Sequence, residues 1–325
     1  GNSSTTRSLD WANPTTGCIL EASGGGTIAY LATGNLKSGS GSGFFRLDGT
    51  NTGTNTLNQI INDNGGVTTV TKTNVGTWVL TGANNYSGDT TIQLGTLALS
   101  GSGTIGTSAN LILCSGATFD VSALSGAYTL SASQSLLVTN GATATINGSL
   151  DVSSASVVMT NVINTATLNV TGGALTLGGS TPFEVDVDNG GAPLSVGSYK
   201  LISKGTGGSV AGTAPSAVTV GGDGLAGGAT ASLAITGGEL YLNVSGGATP
   251  STPVISGIAI TGGQAILTFS GTNGTWYVLS STNVALPIAN WVTNATGAFS
   301  SLGSIVNWTN SSATAPQEFY RVKSQ

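Results

Sequence analysis

Three carboxylates stand two apart in the run FEVDVDNG: Glu184, Asp186 and Asp188. That spacing puts all three on one face of a strand, where with Asn189 they can offer oxygen ligands to a hard cation such as calcium. Attack on a polysaccharide would need more: paired carboxylates, or an Asp with Lys or Arg, grouped on one face. No Lys or Arg lies close in sequence, no EF-type loop completes a ligand set, and histidine is absent from all 325 residues. A solvated strand face accounts for the same spacing. No catalytic residue and no cofactor are expected, calcium at this cluster being the one candidate, and the chain is not expected to be an enzyme. The remaining reactive groups are two thiols, Cys18 and Cys114.

The elements that carry these residues are legible in 67–99, VTTVTKTNVGTWVLTGANNYSGDTTIQLGTLAL. Apolar pairs (Trp78/Leu80, Ile92/Leu94, Leu97/Leu99) alternate with Thr, Ser or Gln, and Gly/Asn-rich turns separate them. Period-two alternation between such turns marks short strands. Leu97/Leu99 follows Trp78/Leu80 by about one repeat, and Phe119/Val121 follows by about one more. A repeat of roughly 20 residues built only from short strands predicts a solenoid in which each coil stacks on the last.

The same segment resembles the autotransporter-associated β-strand repeat of secreted bacterial proteins. The residues carrying the likeness are Thr71-Lys72-Thr73, Gly76 to Leu80, Thr81-Gly82-Ala83-Asn84-Asn85-Tyr86-Ser87-Gly88, Thr90-Thr91-Ile92 and Gly95-Thr96-Leu97. The resemblance implies a right-handed parallel β-helix, used as the passenger or stalk of surface and secreted proteins. It brings no catalytic motif with it.

Around this repeat the chain divides by composition. Residues 1–25 fit the repeat poorly and read as a polar arm, with Asp10 and Trp11, long enough to be exchanged with a neighbouring subunit. Residues 26–245 read as the β-helix, with longer strands at 183–245 resembling the capping coils of that family. SGGATPSTP makes 246–253 a linker. About six alternating strands follow in 254–325, with Trp276, Trp291, Trp308, Phe319 and Tyr320, and predict a small antiparallel β-sandwich of immunoglobulin or fibronectin type. The closing Glu318 to Val322 loosely resembles terminal modules of secreted bacterial proteins. The fold class expected is therefore all-β, a parallel β-helix followed by a sandwich. On this layout Cys18 and Cys114 lie four to five coils apart, roughly 20 Å at the stacking distance of strands. A disulfide needs Cα atoms within about 7 Å. Buried free thiols, a bridge between subunits, and an intrachain bridge made by a folded-back arm all remain open.

Composition narrows the function. Only 6% of residues are charged, against about 25% in ordinary soluble domains, so the surface is Thr, Ser, Asn and Gly. Eight Lys and Arg, scattered and outnumbered to a net charge of −5, make no nucleic-acid footprint. No apolar run approaches the ~18 residues of a membrane span. The first residue is Gly1 rather than Met, which reads as a cleaved secretion signal, and nothing after 246 offers the strands of an outer-membrane barrel. The expectation is a secreted, extracellular bacterial structural protein whose partners are copies of itself, joined head to tail by strand addition into filaments. The rival is a monomeric adhesin or carbohydrate-binding protein acting on surface polysaccharide. A polysaccharide-degrading β-helix enzyme stands third.

Overall fold

A computed structural model describes residues 1–139, 141–162, 165–246, 252–271, 274–299, 304–311 and 317–324. It is all-β apart from two single-turn 3-10 segments. Contacts divide it into two units, 1–224 with 231–243, and 225–230 with 244–325. Most of the expected linker, 247–251, lies outside the described residues.

The first unit is the parallel solenoid. Successive strands alternate between a sheet of 13 and a sheet of nine, and in the smaller sheet each coil contributes one strand. The register expected from the sequence is present: Trp78 pairs with Leu97, Leu80 with Leu99, and Leu97 in turn with Phe119. All five side chains are buried. Inward residues therefore stack on inward residues, and no strand face inside the solenoid meets water. The step from coil to coil is not constant. It is 19 residues from Trp78 to Leu97, 22 from Leu97 to Phe119, 27 from Phe119 to Ile146 and 34 from Leu168 to Ile202. The strands keep register while the corners absorb the difference. Ile92 is buried as expected, but Leu94 is not: it lies past the strand end, at a corner, with its side chain exposed.

Residues 1–25 are the first coil rather than a separate arm. Ser3–Thr5 pairs in parallel with Ile28–Tyr30, and Cys18–Glu21 with Gly43–Asp48. Their sequence looks unlike the repeat because the connection between the two strands is held by side chains. Gln59 accepts from the Leu9 N–H at 2.7 Å and donates to the Leu9 carbonyl at 2.9 Å and to Ser8 Oγ at 2.8 Å. At the other end the larger sheet finishes in Gly197–Gly212, then Glu239–Ser245, then Thr230–Thr236. The last two are joined through Gly237 and Gly238, both at positive φ, the geometry of a two-residue hairpin turn.

The second unit holds two three-stranded antiparallel sheets. One orders Val254–Thr261, Gln264–Gly271, Ser304–Asn310; the other orders Val292–Phe299, Gly274–Ser281, Phe319–Ser324. They enclose a core of Leu267, Phe269, Trp276, Val278, Phe299 and Val322. Phe269 meets Trp276 edge-on at 5.2 Å between centroids and Phe299 at 6.1 Å.

Candidate functional site

The acidic strand forms as expected and faces outward. In Phe183–Asp188 the apolar Phe183, Val185 and Val187 are buried, Glu184 and Asp186 are half-buried, and Asp188 is exposed. The neighbours across the sheet are Val158 and Thr219 beside Glu184, and Thr160 and Gly221 beside Asp186. Three carboxylates in line along a strand span about 13 Å, whereas calcium gathers its oxygens within about 2.6 Å. Among the described residues no group of three or more Asp, Glu, Cys or His is placed to hold a metal ion. Glu184 also lines an open groove of about 380 Å³ with Ser156, Val158, Thr181, Ser216 and Thr219, and is the one titratable residue in its lining. A second groove of about 350 Å³, at Val121–Leu124, Gly148 and Gly172, is lined by no titratable group.

Cys18 and Cys114 are free and half-buried. Cys18 starts a strand of the first coil, and Cys114 follows the strand Asn110–Leu113 four strands further along the same sheet. That separation is roughly 19 Å by strand spacing, too far for an intrachain bridge. Burial pushes the Cys18 thiol above its ordinary pKa, which keeps it protonated and unreactive near neutral pH. Asp10 and Trp11, the residues expected to reach another subunit, engage their own chain. Asp10 accepts from the Ser38 hydroxyl. Trp11 is buried, exchanges backbone hydrogen bonds with Leu36, Ser38 and Gly39, packs against Phe45 at 6.0 Å and takes the Lys37 ammonium over its ring at 5.4 Å.

What sequence reasoning missed is the role of lysine. Lys37 and Lys72, two of only eight cations, are fully buried at solenoid corners. The Lys72 ammonium donates to the carbonyls of Thr73 and Asn74, both at 2.6 Å, and of Leu94 on the next coil at 3.1 Å. Lys37 donates to the Asp63 carbonyl, to the Gly66 carbonyl at 3.1 Å and to Thr68 Oγ1 at 3.0 Å. A corner leaves backbone carbonyls pointing inward without a strand partner, and three ammonium protons satisfy three of them. Burial draws the Lys72 pKa down to about 8, with Asp48 pulling the other way, and lowers that of Lys37 against Asp63. Lys72 is therefore still largely protonated at pH 7.

The other residues of the 70–99 segment work alike, each tying its coil to a neighbour. Trp78 Nε1 donates to the Asp48 carbonyl at 2.8 Å. Asn84 accepts from the Ile61 N–H at 2.8 Å on one side and donates to the Thr104 carbonyl at 2.7 Å on the other. Tyr86, Thr90 and Ser108 form a buried hydroxyl chain at 2.7 and 2.9 Å. Gly88 is required by proximity: a Cβ there would lie 2.4 Å from the Thr68 carbonyl oxygen.

Residues 70–99 match the passenger-associated transport repeat family. Over 101 residues the chain is 40% identical to the adhesin BmaC autotransporter of Brucella suis biovar 1, a match covering 30% of this chain and 3% of that protein. No solved structure matches the chain. No helix among the described residues is long and apolar enough to cross a membrane. The repeat, the stretch shared with an adhesin passenger and the coil-by-coil register together fit a passenger-type parallel β-helix protein.

Proposed function

We propose that the chain is a non-enzymatic shaft segment of a secreted or surface-exposed bacterial protein of adhesin type. The observation that carries this reading is the division of labour in the solenoid. Bonding between coils is internal, leaving the outer face free to present a regular polar surface. Thr77, Thr96, Thr118 and Thr145 stand in register on four successive coils, half-buried, as a hydroxyl ladder at strand spacing. Such a surface hydrogen-bonds without net attraction or repulsion of charge. The similarity to an adhesin supports the same reading. Microspheres coated with the chain are expected to attach to cell monolayers or polysaccharide-coated surfaces; attachment no greater than that of albumin-coated spheres removes the proposal. Sugar release from a polysaccharide would reopen the enzyme reading, which the single carboxylate in the larger groove does not favour.

Filament growth is the finer form of this reading. Among the described residues the first coil is paired on one side only, and its outer edge is a template for one more coil, from preceding chain or from another copy. The low charge of the surface adds no repulsion to such stacking. Negative-stain microscopy of the native protein should show fibres, and deletion of 2–20 should abolish them while leaving a folded monomer. Isolated particles in both samples would confine the chain to the adhesin role.

A further inference from the structure

The sandwich carries an apolar row on its core side that nothing roofs. Residues paired across an antiparallel sheet share a face. Ile255 pairs with Phe269, Ile258 with Leu267 and Ile260 with Ala265, and those three partners are buried in the core. The isoleucines are nevertheless 41%, 62% and 71% exposed. Val292 lies at the same open side: it pairs with the buried Ser280 and is 65% exposed. The topology explains the opening. Val254–Thr261 ends its sheet and Val292–Phe299 ends the other, so the described strands supply no further strand to close the gap.

The edge is also undefended. Exposed edge strands are ordinarily blunted by charge, internal proline or bulges. VISGIAIT has no charge and no proline. Its one irregularity falls between Ile255 and Gly257 and leaves 257–261 in regular register.

We infer that this edge pairs with the same strand of a second copy of the chain. An uncharged strand meets its own copy without repulsion, and antiparallel pairing about a two-fold axis normal to the sheet sets both isoleucine rows on the same side, against each other. The four side chains expose on the order of 400 Å² of apolar area, the size at which a surface patch marks an interaction site. Doubled by symmetry and joined by the backbone ladder, the contact reaches the ~1,000 Å² of a specific interface. It is isologous and closes at two copies. It does not depend on the adhesin or filament readings, since it uses neither the first coil nor the hydroxyl ladder.

Sedimentation of the whole chain tests it. A reversible dimer is expected, weakened at least about 100-fold by Ile258→Asp with Ile260→Asp. Ile305→Asp is the control: Ile305 is equally exposed but pairs with Ser270 on the outer face, and its substitution should leave the dimer unchanged. Amides of 257–261 should exchange more slowly in the dimer than in the dilute monomer, a readout on the native sequence that needs no variant to fold. A monomer at several hundred micromolar, a dimer that survives the double substitution, or a dimer whose 257–261 amides stay unprotected would each overturn the inference.

Discussion

Two buried tryptophans show how differently the two units are held together. Trp78 of the solenoid is fully enclosed between coils, and its indole N–H reaches the Asp48 carbonyl of the preceding coil. Trp276 of the sandwich fills the core between two sheets, and among the described residues its indole N–H is buried without a partner. A repeat that stacks on copies of itself meets the same unpaired groups at every corner, and one residue type at one position satisfies them all. The sandwich has no such periodicity; its apolar packing is local, with one donor left unmet and one face left open.

Substitutions can break this contrast. Trp78→Phe keeps an aromatic ring but strands the Asp48 carbonyl and leaves a void, and should cost about 2–4 kcal/mol in urea denaturation. Trp276→Phe removes an unsatisfied donor along with some volume, and should stay within about 1 kcal/mol of the parent. Equal losses at the two sites would erase the distinction.

Lys72→Met strands three carbonyls and should cost about 2 kcal/mol at pH 7. The pH dependence sharpens this. Lys72 ionises near pH 8 in the folded chain and near 10.5 when unfolded, so between those values the unfolded state holds the extra proton and stability rises with pH. The margin of the parent over Lys72→Met should therefore widen from pH 8 to 10, by at most about 1.4 kcal/mol per unit. A constant margin would mean that the ammonium does not titrate in the fold.

The smallest effects concern the thiols and the acidic strand. Cys18→Ser should change stability by less than about 1 kcal/mol, and a thiol count on the unreduced, denatured chain should return two. Calcium at millimolar concentration should leave the unfolding temperature unmoved, because the carboxylates of 184–188 are strung out rather than gathered. An upward shift would show that the strand recruits ligands beyond its own three.

The solenoid was legible in the sequence wherever coils are short. Between Trp78 and Leu97 the corner is so brief that nearly every residue is in a strand or pinned to one, and spacing alone gives the register. Between Leu168 and Ile202 the long corner hides the same stacking. The first coil was illegible for another reason: Gln59, 50 residues away, holds Leu9, and no local pattern announces a partner at that distance. The buried lysines were misjudged because a rare cation on a nearly uncharged chain reads as a surface group. Only the geometry of a corner, with three carbonyls converging, reveals why it is inside. The acidic strand was read correctly as one face, but sequence spacing could not say that its carboxylates stay apart.

The cage around Lys72 has a consequence for the medium in which the solenoid can work. Its cation is held by fixed carbonyl dipoles at hydrogen-bond distance, not by a carboxylate across solvent. Mobile ions screen charges over about 8 Å at physiological salt and about 3 Å at 1 M, but they do not enter a buried corner. With so few charges outside and dipole-bound ammonium groups inside, cohesion between coils should be nearly the same in fresh water and in brine.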